Sequence, residues 1–140
     1  VKEHLNENGV MVVNMNMRGN NEGNINQYLS DTIASVFDHI VTVDVDGSTN
    51  RELYASSNAD MVKTLENNAN ETGHSDLRDM MLHVADTSSV YEAGDYIMTD
   101  DKAPVELLGM QVIDQLIQGE VAYYKDIFEK DGINGLLESL

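Results

Sequence analysis

Residues 39–56 read HIVTVDVDGSTNRELYAS. Ile40 to Val45 is β-branched and apolar except at Thr42 and Asp44, the composition of a strand. Asp46-Gly47-Ser48-Thr49-Asn50 is turn chemistry: glycine tolerates positive φ, and Asp, Ser and Asn side chains bond to nearby backbone. Glu52 to Ser56 then reads as a second, shorter strand. So short a connection predicts antiparallel pairing. Val41, Val43 and Val45 share one strand face, and Thr42 and Asp44 the other. A buried hairpin of this kind needs a third strand and covering helices. Residues 10–14, VMVVN, supply the strand.

Working outward, residues 1–8 look like the end of a helix stopped at Gly9. Val10 to Val13 is continuously apolar, as in a strand covered on both faces. Asn24 caps a helix, with Gln27 placed to reach back as in a capping box. Ile25, Tyr28, Leu29, Ile33, Val36 and Phe37 form its apolar stripe. Strand 10–14, helix 25–37 and strand 40–45 therefore make a βαβ crossover with parallel strands. A second helix is predicted over 59–69 with Asn58 as its cap, and a third after Ser75 carrying Leu77, Met81 and Val84. Residues 86–96 read as loop, with a brief extended strip at Tyr96–Met98. Pro104 suits the first turn of a last helix, and Glu106 the positive end of its dipole. Gly119 is a candidate break in that helix. The tail offers Leu136, Leu137 and Leu140 for a docking turn.

The predicted fold class is α/β, a partial doubly wound sheet with a terminal antiparallel strand. Residues 1–140 are expected to form a single α/β domain, with 97–140 as its helical C-terminal segment. A strand that reads as central yet opens the chain predicts a fragment whose sheet neighbours precede Val1. Such a fragment is expected to pair with its missing upstream half or with a second copy.

Twenty-five acidic and eight basic side chains give a formal net charge of −17. That argues against a nucleic-acid partner, since binding phosphates by counterion release needs a basic patch. It also disfavours contact with an anionic membrane surface. The chain has no cysteine, which excludes disulfides, thiol nucleophiles and thiolate metal sites. No long apolar run predicts a membrane span, and no signal peptide opens the sequence. A cytoplasmic location is the expectation.

In an open α/β sheet, ligands gather at the carboxyl ends of the parallel strands. Asn14 and Asn16 lie at that edge as candidate substrate contacts, or as caps of the strand end. Met15 and Met17 are loop packing or a ligand wall. The densest polar run is Thr99-Asp100-Asp101-Lys102-Ala103-Pro104-Val105-Glu106. Asp100 and Asp101 read as helix-capping carboxylates or as an acidic rim for an amine. The histidines His4, His39, His74 and His83 share no ligand spacing, and no metal is expected. Asp44 lies opposite the valines and is not proposed as a catalyst. No glycine-rich turn follows a first strand, and no acid ends a second strand to hold a ribose.

Three segments carry a resemblance. HLNENGVMVVN (4–14), FDHIVTVDVDGSTNRELYAS (37–56) and IMTDDKAPVELL (97–108) together resemble the C-terminal half of the polyamine aminopropyltransferase family, the spermidine synthase-like proteins. The resemblance implies a class I methyltransferase fold, with the first segment as a helix end and fifth strand and the second as sixth and seventh strands. The last of these would insert between the other two. It also implies a parent that uses decarboxylated S-adenosylmethionine, or S-adenosylmethionine, with a polyamine or small amine as acceptor. The nucleotide loop, ribose acid and catalytic aspartate of such proteins have no counterpart here. No catalytic residue is therefore assigned, and no cofactor is expected for these 140 residues alone. They are expected to be inactive in isolation. The alternatives are a non-catalytic partner-binding or oligomerisation domain, or part of a related methyltransferase.

Overall fold

The computed structural model describes residues 1–16, 22–47, 49–101 and 105–139. The chain forms two compact units, Val1–Ala103 and Pro104–Leu140. In the first, a 3-10 turn at Lys2–His4 precedes β1 (Val10–Met15), α1 (Ile25–Ala34), β2 (His39–Asp44), β3 (Arg51–Ser56), α2 (Met61–Glu71), α3 (Ser75–Thr87) and β4 (Ser89–Val90). The helix expected over residues 1–8 is thus a single 3-10 turn, followed by a turn in which Gly9 N–H donates to Asn6 O at 2.9 Å.

The sheet order is β1-β3-β2-β4. β3 is antiparallel to both β1 and β2, and β4 is antiparallel to β2. The expected doubly wound parallel sheet is therefore corrected to an open, four-stranded antiparallel sheet. The hairpin causes the difference. Val45 N–H closes it on Asn50 O at 3.0 Å, and β3 returns through the gap between β1 and β2. Those two strands run in the same direction but share no ladder, because β3 separates them. The insertion of β3 itself agrees with the resemblance. β4 lies within residues expected to be loop. It is two residues long and its Val90 is 81 % exposed, so it has no periodicity to read.

Register decides which side chains share a face. Ile40 opposes Ala55, which opposes Met11, and Thr42 opposes Leu53, which opposes Val13. This inner face packs under α1, where Met15, Phe37, Ile40, Leu53 and Ala55 form the core with Leu29 and Ile33 against them. Leu53 and Ala55 are fully buried. On the opposite face Val41 and Val43 are buried, on the side where α3 meets β2. Val10 and Val12 share that face on β1 and are exposed.

The α1 cap matches its reading with one change. Gln27 N–H donates to Asn24 Oδ1 at 3.0 Å, while Gln27 Oε1 reaches back to Gly23 N–H at 2.7 Å. Gly23 takes φ 71°, a conformation that suits glycine. The helix stops at Ala34. Phe37 is buried beyond its end, and Val36, assigned to the stripe, is 51 % exposed. Asn58 acts three residues before the first residue of α2, accepting from Asp60 N–H at 2.9 Å. Ser75 is the first residue of α3, with His74 at the cap position. Tyr96–Met98 forms no strand.

The second unit contains α4 (Val105–Ser139), with Glu106 in its first turn. Gly119 stays helical, and the break falls at Gly132, with φ 66° and ψ −158°. The readings placed on Met17, Ser48, Lys102, Ala103, Pro104 and Leu140 lie outside the described residues.

Candidate functional site

The most extensively bonded polar group in the first unit sits on α1. Asp31 is 1 % exposed, and its carboxylate accepts three hydrogen bonds. Tyr91 O–H donates at 2.6 Å, Gly94 N–H at 2.9 Å and Tyr96 N–H at 3.0 Å. Its neighbours extend the contact. Thr32 Oγ1 accepts from Met98 N–H at 2.8 Å, and Ser30 O–H lies 3.5 Å from Met15 Sδ at the end of β1. Residues 91–98 are thus a strap fastened along α1 at four positions, ending just before Thr99, Asp100 and Asp101.

Satisfied hydrogen bonding explains how a carboxylate is tolerated there. Three of its roughly four acceptor positions are filled. A base needs an open lone pair and access to substrate, and Asp31 is built instead to hold the strap. Burial, and then the hydrogen bond to Asp31, push the Tyr91 hydroxyl up to about 12, so it remains a donor. Gly94 fits this spot because a Cβ there would lie 2.7 Å from Asp31 Oδ2.

The strap also reaches the loop that leaves β1. Tyr96 stacks edge-on against Tyr28 with centroids 5.1 Å apart, and its hydroxyl donates to Glu22 Oε1 at 3.0 Å. That carboxylate raises the Tyr96 pKa. Across the sheet end, Arg51 Nε donates to Asp44 Oδ1 at 2.6 Å and Nη2 to Oδ2 at 3.2 Å. This bidentate pair raises the Arg51 pKa and fixes the turn end of the hairpin.

Of the residues singled out in the sequence, Asn14 is exposed on β1 opposite Glu52, and Asn16 is exposed just beyond it. Asp100 and Asp101 are exposed in the turn after the strap. No side-chain hydrogen bond joins these four among the described residues. No cluster of metal-ligating side chains occurs among the described residues either. Sequence reasoning missed Asp31, Tyr91 and Arg51. Asp31 bonds to residues 60 to 65 positions away, so no local pattern announces it. The available signal was a polar Ser30-Asp31-Thr32 run inside an otherwise amphipathic helix.

Comparison with known proteins finds a relative. The chain is 45 % identical over 157 aligned residues to a protein of Bifidobacterium longum (strain NCC 2705) described as "Probable polyamine aminopropyl transferase". The match covers 100 % of this chain and 35 % of that protein. The chain is therefore homologous to that protein and spans about a third of its length. No family model matches, and no solved structure matches. No described helix is long and apolar enough to cross a membrane.

Proposed function

We propose that these 140 residues are the C-terminal part of a spermidine synthase-like aminopropyltransferase and are inactive on their own. The observation that carries this reading is the 45 % identity sustained along the whole chain. Aminopropyl transfer requires a sulfonium carbon held against an acceptor amine, and positioning supplies much of the rate. The sequence offers no glycine-rich nucleotide loop and no ribose carboxylate. The strap and the end of β1 would contribute the rim of a site completed by the rest of the longer protein. Asp100 and Asp101 would attract an ammonium group, and Asn14 and Asn16 would offer hydrogen bonds.

The edge of β1 supports a role in assembly. Val-Met-Val-Val-Asn-Met carries no charge and no proline, and among the described residues one side of the strand is unpaired in the sheet. Edges that face water are normally protected by charge, proline or a bulge. We propose that this edge pairs with the missing upstream half or with a second copy. This feature also favours the second reading, a non-catalytic oligomerisation domain.

Calorimetric titration of the chain with S-adenosylmethionine, its decarboxylated form and putrescine, paired with a turnover assay, tests the first reading. The expected result is no tight nucleotide binding and no product. Saturable micromolar binding, or product above a protein-free control, overturns it.

A further inference from the structure

α4 carries apolar residues on two of its sides. The buried pair, Leu108 and Val112, lies along one. A second side, turned well away from that pair by the helical repeat, presents Met110, Ile113, Ile117, Val121 and Phe128, all exposed. They recur three or four residues apart, with half-buried Tyr124 among them, and so form a continuous stripe. A contiguous apolar stripe on a strongly acidic chain marks an interaction surface.

The margins of the stripe indicate what fits it. Asp114 and Lys125 lie along one margin and Glu120 along the other. A two-fold interface has to be complementary to itself, and an all-acidic margin would repel its own copy. Lys125 removes that obstacle. When two copies of α4 face each other along the stripe, it meets an acid of the other copy in either direction: Asp114 if the helices run antiparallel, Glu120 if they run parallel. On its own helix Lys125 Nζ lies 3.8 Å from Glu129 Oε1, an exposed pair that competes only weakly. The length is also sufficient. From Val105 to the break at Gly132 the helix runs about 40 Å. A contact strip about 12 Å wide along it buries on the order of 1,000 Å² over two copies, the size a specific interface needs. The net charge of −17 on each copy opposes approach. That repulsion is screened beyond about 8 Å at physiological ionic strength, whereas the stripe and its margins act in contact.

We propose that α4 is a self-association surface, through which two copies of this chain pair along the stripe from Met110 to Phe128. Apolar burial supplies the affinity, and Lys125 sets the pairing of the margins. The proposal is independent of aminopropyl transfer and of the β1 edge.

Sedimentation equilibrium of the full chain at physiological ionic strength tests it. The expected result is a dimer at micromolar concentration. Ile117→Lys places an ammonium in the middle of the stripe and is expected to raise the dissociation constant at least tenfold. Lys125→Glu keeps every apolar residue and makes both margins acidic, and is expected to raise it at least threefold. Methyl resonances of Val43 and Leu53, in the first unit, are expected to stay unchanged in both variants, which separates lost pairing from lost folding. Val12→Lys, on the β1 edge, is expected to leave the constant unchanged. A wild-type chain that is monomeric at micromolar concentration overturns the proposal. A dimer that Ile117→Lys and Lys125→Glu both leave intact overturns it, as does one that Val12→Lys dissociates in their place.

Discussion

The two faces of the sheet are completed differently. Under α1, Leu53 and Ala55 are fully buried and Asp31 bonds along the strap. On the other face, Val10 and Val12 are 39 % and 52 % exposed, and a cavity lies between strands and helices. Both faces belong to the same strands, so composition alone does not separate them. What differs is the length of chain laid across each. One face has a helix plus a strap tied to it, while the α2–α3 pair leaves β1 uncovered. The inner face should therefore carry the stability of the first unit, and the outer face should tolerate change.

The largest expected break in this contrast is Leu53→Ala. It removes a side chain with no exposed surface from the centre of the core. A loss of about 3 kcal/mol is expected from lost burial and the cavity left behind, read as a shift in the denaturation midpoint at constant slope. A loss below about 1 kcal/mol would mean that the core lies elsewhere.

Asp31→Asn comes next. Whichever way the amide turns, its NH2 meets at least one donor that now bonds to a carboxylate oxygen. About 2 kcal/mol is expected to be lost. Hydrogen exchange should rise at the Gly94 and Tyr96 amides more than in β3. Equal rises in both would show that the strap is no separate fastening. Gly94→Ala presses on the same contact from the other side and is expected to cost about 1 kcal/mol, because a side chain can shift to relieve the clash.

The Tyr91 hydroxyl gives this clasp a pH signature. Its folded pKa is raised from 10.0 to about 12 by burial and by Asp31. The folded state therefore favours the protonated form. Its stabilisation is complete below about pH 10 and drains away as pH rises towards 12. Tyr91 is partly exposed, so solvent screening keeps the effect below about 1 kcal/mol. Denaturation midpoints across this interval should slope less in Tyr91→Phe. Equal slopes would remove the clasp from the alkaline response.

The same contrast explains what could be read beforehand. The strand positions, the antiparallel hairpin and the α1 cap follow from β-branched runs, a short turn and an Asn–Gln pair, all local signals, whereas the insertion of β3 was implied by the resemblance alone. The parallel sheet was misread because the crossover pattern sets the relative direction of β1 and β2 but not whether they are hydrogen-bonded. β3 occupies the place between them. The strap was read as loop because its order comes from Asp31, 60 or more residues earlier. Asn14, Asn16, Asp100 and Asp101 stood out by composition, whereas Asp31 became visible only through its partners.

The smallest expected effect on stability is that of Val12→Lys, and it carries the most information about the outer face. Val12 is 52 % exposed on a strand at the sheet's edge. A lysine there can run its stem along Val10 and Tyr54 and keep its ammonium in water. The change in folding free energy should stay within about 0.5 kcal/mol, as for surface substitutions away from special features. Association is a different matter. Charge on an edge strand is a device that natural sheets use against edge-to-edge pairing. If β1 is the edge through which the chain joins a second copy, Val12→Lys should lower the sedimentation-derived association constant at least tenfold. Val13 provides the control. It lies on the inner face opposite Leu53, so Val13→Lys puts a charge against the core and should unfold the first unit. A wild-type chain that stays monomeric at micromolar concentration would remove self-pairing as the role of β1. A Val12→Lys chain that unfolds like Val13→Lys would show that the outer face is closed, and the two faces of the sheet would no longer differ.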